Sequence, residues 1–272
     1  MSESSPTQIF GNLLRAFRDE AGLSQQELAE RALCSQPLIS GLERGTKATK
    51  RDQIDLIDRA LEARGKLLTA WPMTAAGGAS AERIADLEAE ATVIHDWENR
   101  VVSGLLQTRD YARAVARAGF AMASTQKIET IAAKRIERQG IFAKSEPPLT
   151  WFVIDECVFY RPYGGREVMR EQLLKLEALA ERPNTVVQVM ESAAIHHPGG
   201  EGPLRIMEYR DSAPIWYTDG WNESGRIAED RDEVAQAVTN FNLICASAMP
   251  PEPSKEFIAT TRIGRYELPD LG

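Results

Sequence analysis

Gln36, Ser40 and Arg44 stand four residues apart in the segment Ser35-Gln36-Pro37-Leu38-Ile39-Ser40-Gly41-Leu42-Glu43-Arg44-Gly45, so in a helix their side chains share one face. A glutamine amide can donate to N7 and accept from N6 of adenine, and an arginine can reach a guanine edge or a phosphate. The chemistry on offer is hydrogen bonding to base edges, with Gln36 the first candidate for base readout. Arg44, Lys47, Lys50 and Arg51 then form a basic run with no acid between them, suited to the phosphates beside a read groove. Gly41 costs about 1 kcal/mol against alanine in a helix interior. Either a side chain there would meet the DNA backbone, or the glycine is neutral, and both readings stay open. Glu43 would be repelled by phosphate, so it is expected to pair internally with a basic residue or to cap a neighbouring backbone.

Groups suited to catalysis are few. Asp155-Glu156 sits at the end of a predicted strand, where neighbours point to opposite faces, so a salt bridge or helix cap is favoured over a shared site. His196-His197 precedes the Pro198–Gly202 loop, and the third histidine is His95. No Cys-x-x-Cys or His-Glu-x-x-His spacing supports zinc, and there is neither a Gly-x-Ser-x-Gly elbow nor a phosphate-binding loop. Trp151, Trp216, Tyr217 and Trp221 could line a ligand pocket, although aromatics in strands are more often core. The expectation is a protein that is not an enzyme and uses no cofactor or metal.

The elements that must position these residues divide at Met73–Ser80, a small, uncharged stretch that reads as a linker. Residues 1–72 read as all helical. Ser5-Pro6-Thr7-Gln8 opens a first helix carrying Ile9, Leu13, Ala16 and Phe17 on one face, and Gly22 ends it. Ser24-Gln25-Gln26-Glu27 is a capping box opening a second helix with Leu28 and Ala29 inward. Ser35 caps a third, with Ile39 and Leu42 inward and Gly45 closing it. Thr49-Lys50-Arg51-Asp52 opens a fourth, carrying Ile54, Ile57 and Leu61. The second and third helices are joined by a few residues around Leu33-Cys34, which predicts a helix-turn-helix.

Residues 81–272 read as an α+β domain. Helices are predicted over 81–95, 108–119, 125–144, 167–181, 228–246 and 254–264. Strands are predicted over 149–155, 184–191, 202–209 and 214–218, with a turn at Gly164-Gly165. The fold class is therefore an all-α N-terminal helix-turn-helix domain followed by an α+β C-terminal domain.

Leu23-Ser24-Gln25-Gln26-Glu27-Leu28-Ala29-Glu30 together with Ser35–Gly45 closely resembles the XRE (lambda-repressor/Cro-like) DNA-binding domain, over about residues 7–72. The resemblance implies that the third helix is the recognition helix, with Ser35, Gln36, Pro37, Ser40, Gly41 and Arg44 on its DNA-facing side. It also places Gln25 where that family contacts a phosphate. Further along, Glu90-Ala91, Trp97, Gly104-Leu105-Leu106-Gln107-Thr108, Tyr111-Ala112, Arg138-Gln139, Asp155-Glu156, Gly164-Gly165, Gln172-Leu173 and Val187-Gln188-Val189 occur in the order seen in actinobacterial WhiJ-like, antitoxin-like regulators. One departure is Ser103, where that family usually has proline. Members often sit beside a gene for a small partner protein. The resemblance thus implies a DNA-binding transcriptional regulator, or alternatively an antitoxin-like protein whose C-terminal domain neutralises a small cognate protein.

The whole chain, 272 residues with a formal net charge of −8, is ordinary globular composition at 43% hydrophobic and 26% charged. Taken alone, −8 argues against binding nucleic acid. Its distribution reverses that. Residues 1–72 hold ten basic and ten acidic residues, and the acid excess lies wholly in the remainder. No apolar run is long enough to cross a bilayer, no secretory signal is evident, and three widely spaced cysteines suit a reducing cytoplasm. One such domain reads few base pairs, so the expected partners are double-stranded DNA and a second copy of the chain, on half-sites roughly 34 Å apart. The C-terminal domain is left for a small cognate protein or a small-molecule ligand.

Overall fold

A computed structural model describes residues 6–47, 49, 51–71, 78–79, 81–220 and 225–267. Ser5, Lys50, Trp221 and most of the expected linker (73–77 and 80) lie outside the described residues. The chain forms two compact units, residues 1–81 with 223–227, and residues 82–222 with 228–272. It is a helical helix-turn-helix domain followed by an α+β domain.

The first unit contains α1 (Pro6–Glu20), α2 (Gln25–Arg31), α3 (Gln36–Glu43), α4 (Arg51–Ala60) and α5 (Lys66–Ala70). Phe10, Leu14, Leu28, Ile39, Leu42, Ile54, Ile57 and Leu67 form its buried centre. Four helices end in the same way. A residue with positive φ (Gly22, Leu33, Gly45 or Glu62) is followed by an N–H that reaches back to a carbonyl in the last turn, as in Cys34 N to Ala29 O at 2.9 Å. Asp58, almost fully buried, caps α5 by accepting from Gly65 N at 2.7 Å and Leu67 N at 2.9 Å.

The inward face of α1 differs from the expected one. Phe10 and Leu14 are buried, Leu13 and Phe17 lie at the margin, and Ile9 and Ala16 are exposed. The inward stripe also contains Gly11 and Arg18, two residue types that hydrophobic periodicity assigns outward. Gly11 is where α1 meets α3, since a Cβ there would come within 2.4 Å of the Glu43 carbonyl oxygen. That backbone-to-backbone approach turns the helix away from the Ile9 face.

Gly78–Ala79 (β1), within the expected linker, pairs antiparallel with Arg226 and Gly225 of β7 (Gly225–Ala228). The second unit begins with α6 (Ala81–Glu90) and β2 (Val93–Glu98). It continues through α7 (Arg109–Gly119), α8 (Thr125–Arg138), β3 (Leu149–Asp155), α9 (Arg166–Ala180), β4 (Thr185–Met190), β5 (Leu204–Glu208), β6 (Ile215–Thr218), α10 (Arg231–Ser247) and α11 (Pro251–Tyr266). Its sheet runs in the order β6-β5-β2-β3-β4. β2, β3 and β4 are parallel, with Asp96 opposite Phe152 and Phe152 opposite Val187, while β5 is antiparallel to β2. The helix expected over 81–95 therefore stops at Glu90, and the central strand follows it. Trp97, Val153, Met190 and Ile206 face α10, where they meet Ala237, Phe241 and Ile244.

The other sheet face holds a buried charge cluster. Arg205 on β5 donates through Nε to Asp96 Oδ2 at 3.0 Å and through Nη1 to Glu88 of α6. Arg138 of α8 donates to the same Glu88 at 2.7 and 2.5 Å. Ser103, the departure from proline, is fully buried. Its hydroxyl donates to Asp96 at 2.7 Å and accepts from Arg205 at 3.1 Å. Glu98, on the same face of β2 as Asp96, is 4% exposed and its Oε2 has no hydrogen-bond partner. Burial and the nearby Asp96 and Asp219 hold its carboxyl well above the usual carboxylate range.

A raised pKa means that the folded state keeps a proton that the unfolded chain releases. Stability is therefore full below the unfolded value, 4.5, and falls as pH rises from there through the raised folded value. Glu98→Gln, which fixes a neutral group in the same shape, should flatten that decline in urea titrations run from pH 5 to 8. An unchanged slope would mean that Glu98 ionises in the fold.

Candidate nucleic-acid interface

The helix-turn-helix is α2, the turn at Leu33-Cys34, and α3. Its first helix is fixed by the capping box: Ser24 Oγ accepts from Glu27 N, and Glu27 Oε2 accepts from Ser24 N at 2.8 Å. The turn places Leu33 at φ +52° with its side chain 80% exposed. Ser35 holds the N-cap position of α3 in an extended conformation, but its side chain makes no cap hydrogen bond, unlike the cap expected of it. Ile39 and Leu42 face the core, while Pro37 and Arg44 are exposed and Gln36 and Ser40 half-exposed.

A hydrogen-bonded relay runs from the core of this domain to the head of α3. Arg18 of α1 makes a bidentate pair with Glu43, Nε to Oε1 at 2.5 Å and Nη2 to Oε2 at 3.2 Å. The pair is almost fully buried, and hydrogen bonding to Glu43 raises the Arg18 pKa. Glu43 Oε2 also accepts from Gln25 Nε2 at 2.8 Å, and Gln25 Oε1 accepts from Gln36 Nε2 at 2.8 Å. Amide orientation follows from chemistry at the buried end. An ionised carboxylate only accepts, so Gln25 must turn its NH2 to Glu43 and its oxygen outward, and Gln36 must turn its NH2 to that oxygen. Each NH2 has a second hydrogen, and Gln36 Oε1 is not used in the relay. Gln36 thus retains one donor and one acceptor side by side, the pattern that matches N7 and N6 of adenine.

Glu43 therefore pairs internally, with Arg18 as its basic partner. Arg18 carries a sequence signal of its own: a charged residue in register with Phe10 and Leu14, four residues apart, marks an ion pair within a core stripe. Gly41 has a role of its own inside the domain. It is buried, and a Cβ there would come within 2.6 Å of the Lys47 side chain, whose aliphatic stem lies across it. The Gly41 carbonyl accepts from Thr46 N at 2.9 Å and Lys47 N at 3.2 Å, which fixes the loop after α3. The glycine lets Lys47 fold back over α3 while the Lys47 residue remains exposed. Arg44 Nη1 donates to Ser40 Oγ, so these two form one polar unit one turn beyond Gln36. Arg51 opens α4.

In the second unit several of the candidate groups make hydrogen bonds within the fold. Asp155 Oδ1 accepts from Cys157 N at 2.8 Å, capping a short 3-10 turn, and His197 Nδ1 accepts from Gly199 N at 3.1 Å. Trp151 Nε1 donates to Gln188 Oε1 at 2.7 Å, and the ring packs on the α10 side. The Gly104–Thr108 segment is held by side chains from α8, from α9 and from Gln139 just after α8. Gln172 bonds Leu106 O at 2.9 Å and Thr108 N at 2.7 Å, Lys175 and Gln139 both donate to Gln107 O at 2.8 Å, and Arg135 reaches Gln107 Oε1 at 3.2 Å. Among the described residues, no group of three or more His, Cys, Asp or Glu side chains could hold a metal ion. No described helix is long and apolar enough to cross a membrane.

A family described as a helix-turn-helix domain matches residues 9–71, and one described as a domain of unknown function (DUF5753) matches residues 81–260. No curated protein and no solved structure matches the chain. The helix-turn-helix match supports a DNA-binding regulator.

Proposed function

The chain belongs to the DUF5753 family and carries a helix-turn-helix domain ahead of that family's domain; on this footing we propose that it is a sequence-specific transcriptional regulator of the XRE kind, acting as a homodimer on double-stranded DNA in the cytoplasm. The C-terminal domain acts as its regulatory half and carries out no catalysis, in a chain of the actinobacterial WhiJ-like type. The observation that supports base reading most is the relay from Arg18 to Gln36, which leaves a donor hydrogen and the amide oxygen of Gln36 outside its own bonds at the head of α3. Gln36 reads a base edge, Ser40 and Arg44 extend the contact along the groove, and Gln25 and Lys47 hold phosphates, with Lys50 and Arg51 continuing the basic run. Ser35 and Pro37 border the same surface at the start of α3. Neutrality of residues 1–72 overall leaves a locally basic surface at this edge.

The test begins with selection of bound fragments from the source genome. On the selected operator, Gln36→Ala should lose discrimination at one base position per half-site, roughly 1–3 kcal/mol. Lys47→Ala should weaken binding to all sequences and lower the salt slope by about one charge. If neither substitution changes binding to any selected fragment, the DNA reading fails.

A further inference from the structure

Beneath α10, the sheet face that carries Trp97 and Trp216 leaves a cavity of about 310 Å³. Leu204 of β5 and Ile244 of α10 continue its apolar wall. Glu201 and Glu233, both exposed, stand among its lining residues, and among the described residues that line it there is no lysine, arginine or histidine. Two amides add polar contacts: Gln236 Nε2 donates to Asn240 Oδ1 at 3.0 Å, a bond that leaves Gln236 Oε1 and Asn240 Nδ2 for other partners.

The rim is built rather than loose. The Gly199 carbonyl accepts from Trp97 Nε1 at 3.0 Å and from Asn99 Nδ2 at 3.1 Å, which ties the Pro198–Glu201 turn to β2. A Cβ on Gly199 would come within 2.6 Å of the Trp97 ring, so only glycine lets the turn lie this close. Thr218 Oγ1 donates to Pro203 O at 2.7 Å and fixes the opposite side.

We propose that this cavity binds a small organic cation with a flat apolar body, an aromatic amine about the size of a single indole ring system. The proposal deepens the reading of the C-terminal domain as regulatory by naming its ligand class, and it rests on that reading. The volume lies at the lower end of small-molecule sites, roughly 300–1,000 Å³, which excludes dinucleotides and larger cofactors. Tryptophan faces attract flat rings and cations alike. Glu201 and Glu233 select positive charge, and the acid excess of residues 73–272 raises the local concentration of cations.

The full-length chain is titrated by calorimetry with tryptamine, with neutral indole and with indole-3-propionate, an anion of similar shape. Tryptamine should bind at least tenfold more tightly than either. Trp216→Ala, and separately Glu201→Gln with Glu233→Gln, should each weaken tryptamine at least tenfold while circular dichroism stays unchanged. Should the alanine variant fail to fold, Trp216→Leu serves in its place, keeping bulk without the aromatic face. No tryptamine binding by the wild-type chain, equal binding of the anion, or wild-type affinity in folded variants overturns the site. The same samples are assayed on the selected operator. Tryptamine that binds in the cavity without changing operator affinity supports the site and sinks the regulatory reading. No tryptamine binding by the wild-type chain, with its operator binding intact, sinks the site and leaves the DNA reading standing.

Discussion

Arg205→Met should cost the α+β domain about 3–5 kcal/mol, the range for removing one partner of a buried ion pair. Arg205 is 5% exposed and faces Glu88 and Asp96, which are 0% and 2% exposed. Without it, Arg138 alone remains to offset two buried carboxylates, and Ser103 loses the donor that holds its oxygen. Burial already pushes the Asp96 carboxyl up, and without Arg205 to oppose that it would take up a proton, so the loss should be greater at pH 8 than at pH 5. Arg205→Lys should recover only part of the loss, because a lysine cannot span Asp96 and Glu88 with a planar fork. Urea denaturation followed by circular dichroism measures both. Arg210→Met provides the comparison, since Arg210 pairs with Glu146 on the surface and its removal should change stability by less than about 0.5 kcal/mol. A loss below about 1 kcal/mol for Arg205→Met would show that water or a rearranged Arg138 replaces the guanidinium.

Arg18→Met should destabilise the helix-turn-helix domain by about 2–3 kcal/mol. This is below the full range for a buried pair because the Arg18 guanidinium also reaches the exposed Asp19 at 2.7 Å, at the domain surface. The larger effect should be on recognition. Glu43 without Arg18 draws its remaining donor, Gln25, inward, and that change releases Gln36. Discrimination at the base position assigned to Gln36 should fall about as far as in Gln36→Ala, while binding to non-specific DNA changes little. A structural role alone would lower stability and leave the ratio of specific to non-specific binding intact in the folded fraction, so that ratio decides the matter.

The two domains differ in how much of them can be read from the chain. α2 and α3 are legible because their signals are local: a capping box at Ser24, glycine at position 45, and Leu28, Ala29, Ile39 and Leu42 on one face. The strands β3, β4 and β6 are legible because β-branched and aromatic residues dominate them. The central strand, β2, is not. Its inward residues Asp96 and Glu98 are acids whose burial depends on Arg205, more than a hundred positions away, so no alternation of apolar and polar residues marks Val93–Glu98 as a strand. The true inward face of α1 was hidden for a related reason, because Arg18 and Gly11 face the core through partners on α3. Glu43 could be recognised as an unlikely neighbour for phosphate, yet the choice of Arg18 as its partner belongs to the fold. Ser103 reads from sequence as a missing proline, and its hydroxyl has a use only once Asp96 and Arg205 converge.

A glutamine on a free surface can exchange its oxygen and nitrogen by a half-turn of its last torsion, and so offers two patterns to whatever it meets. In this domain that half-turn would set like atoms against each other all the way back to a buried carboxylate. On the proposed reading, the face of α3 would approach DNA as a key cut in one sense only. The rotamer entropy of two long side chains, about 0.5–1.5 kcal/mol each, has been lost on folding and is not lost again at the encounter. If Gln36 reads adenine as proposed, a site with adenine and thymine exchanged between strands would meet a rigid mismatch rather than a side chain able to adapt.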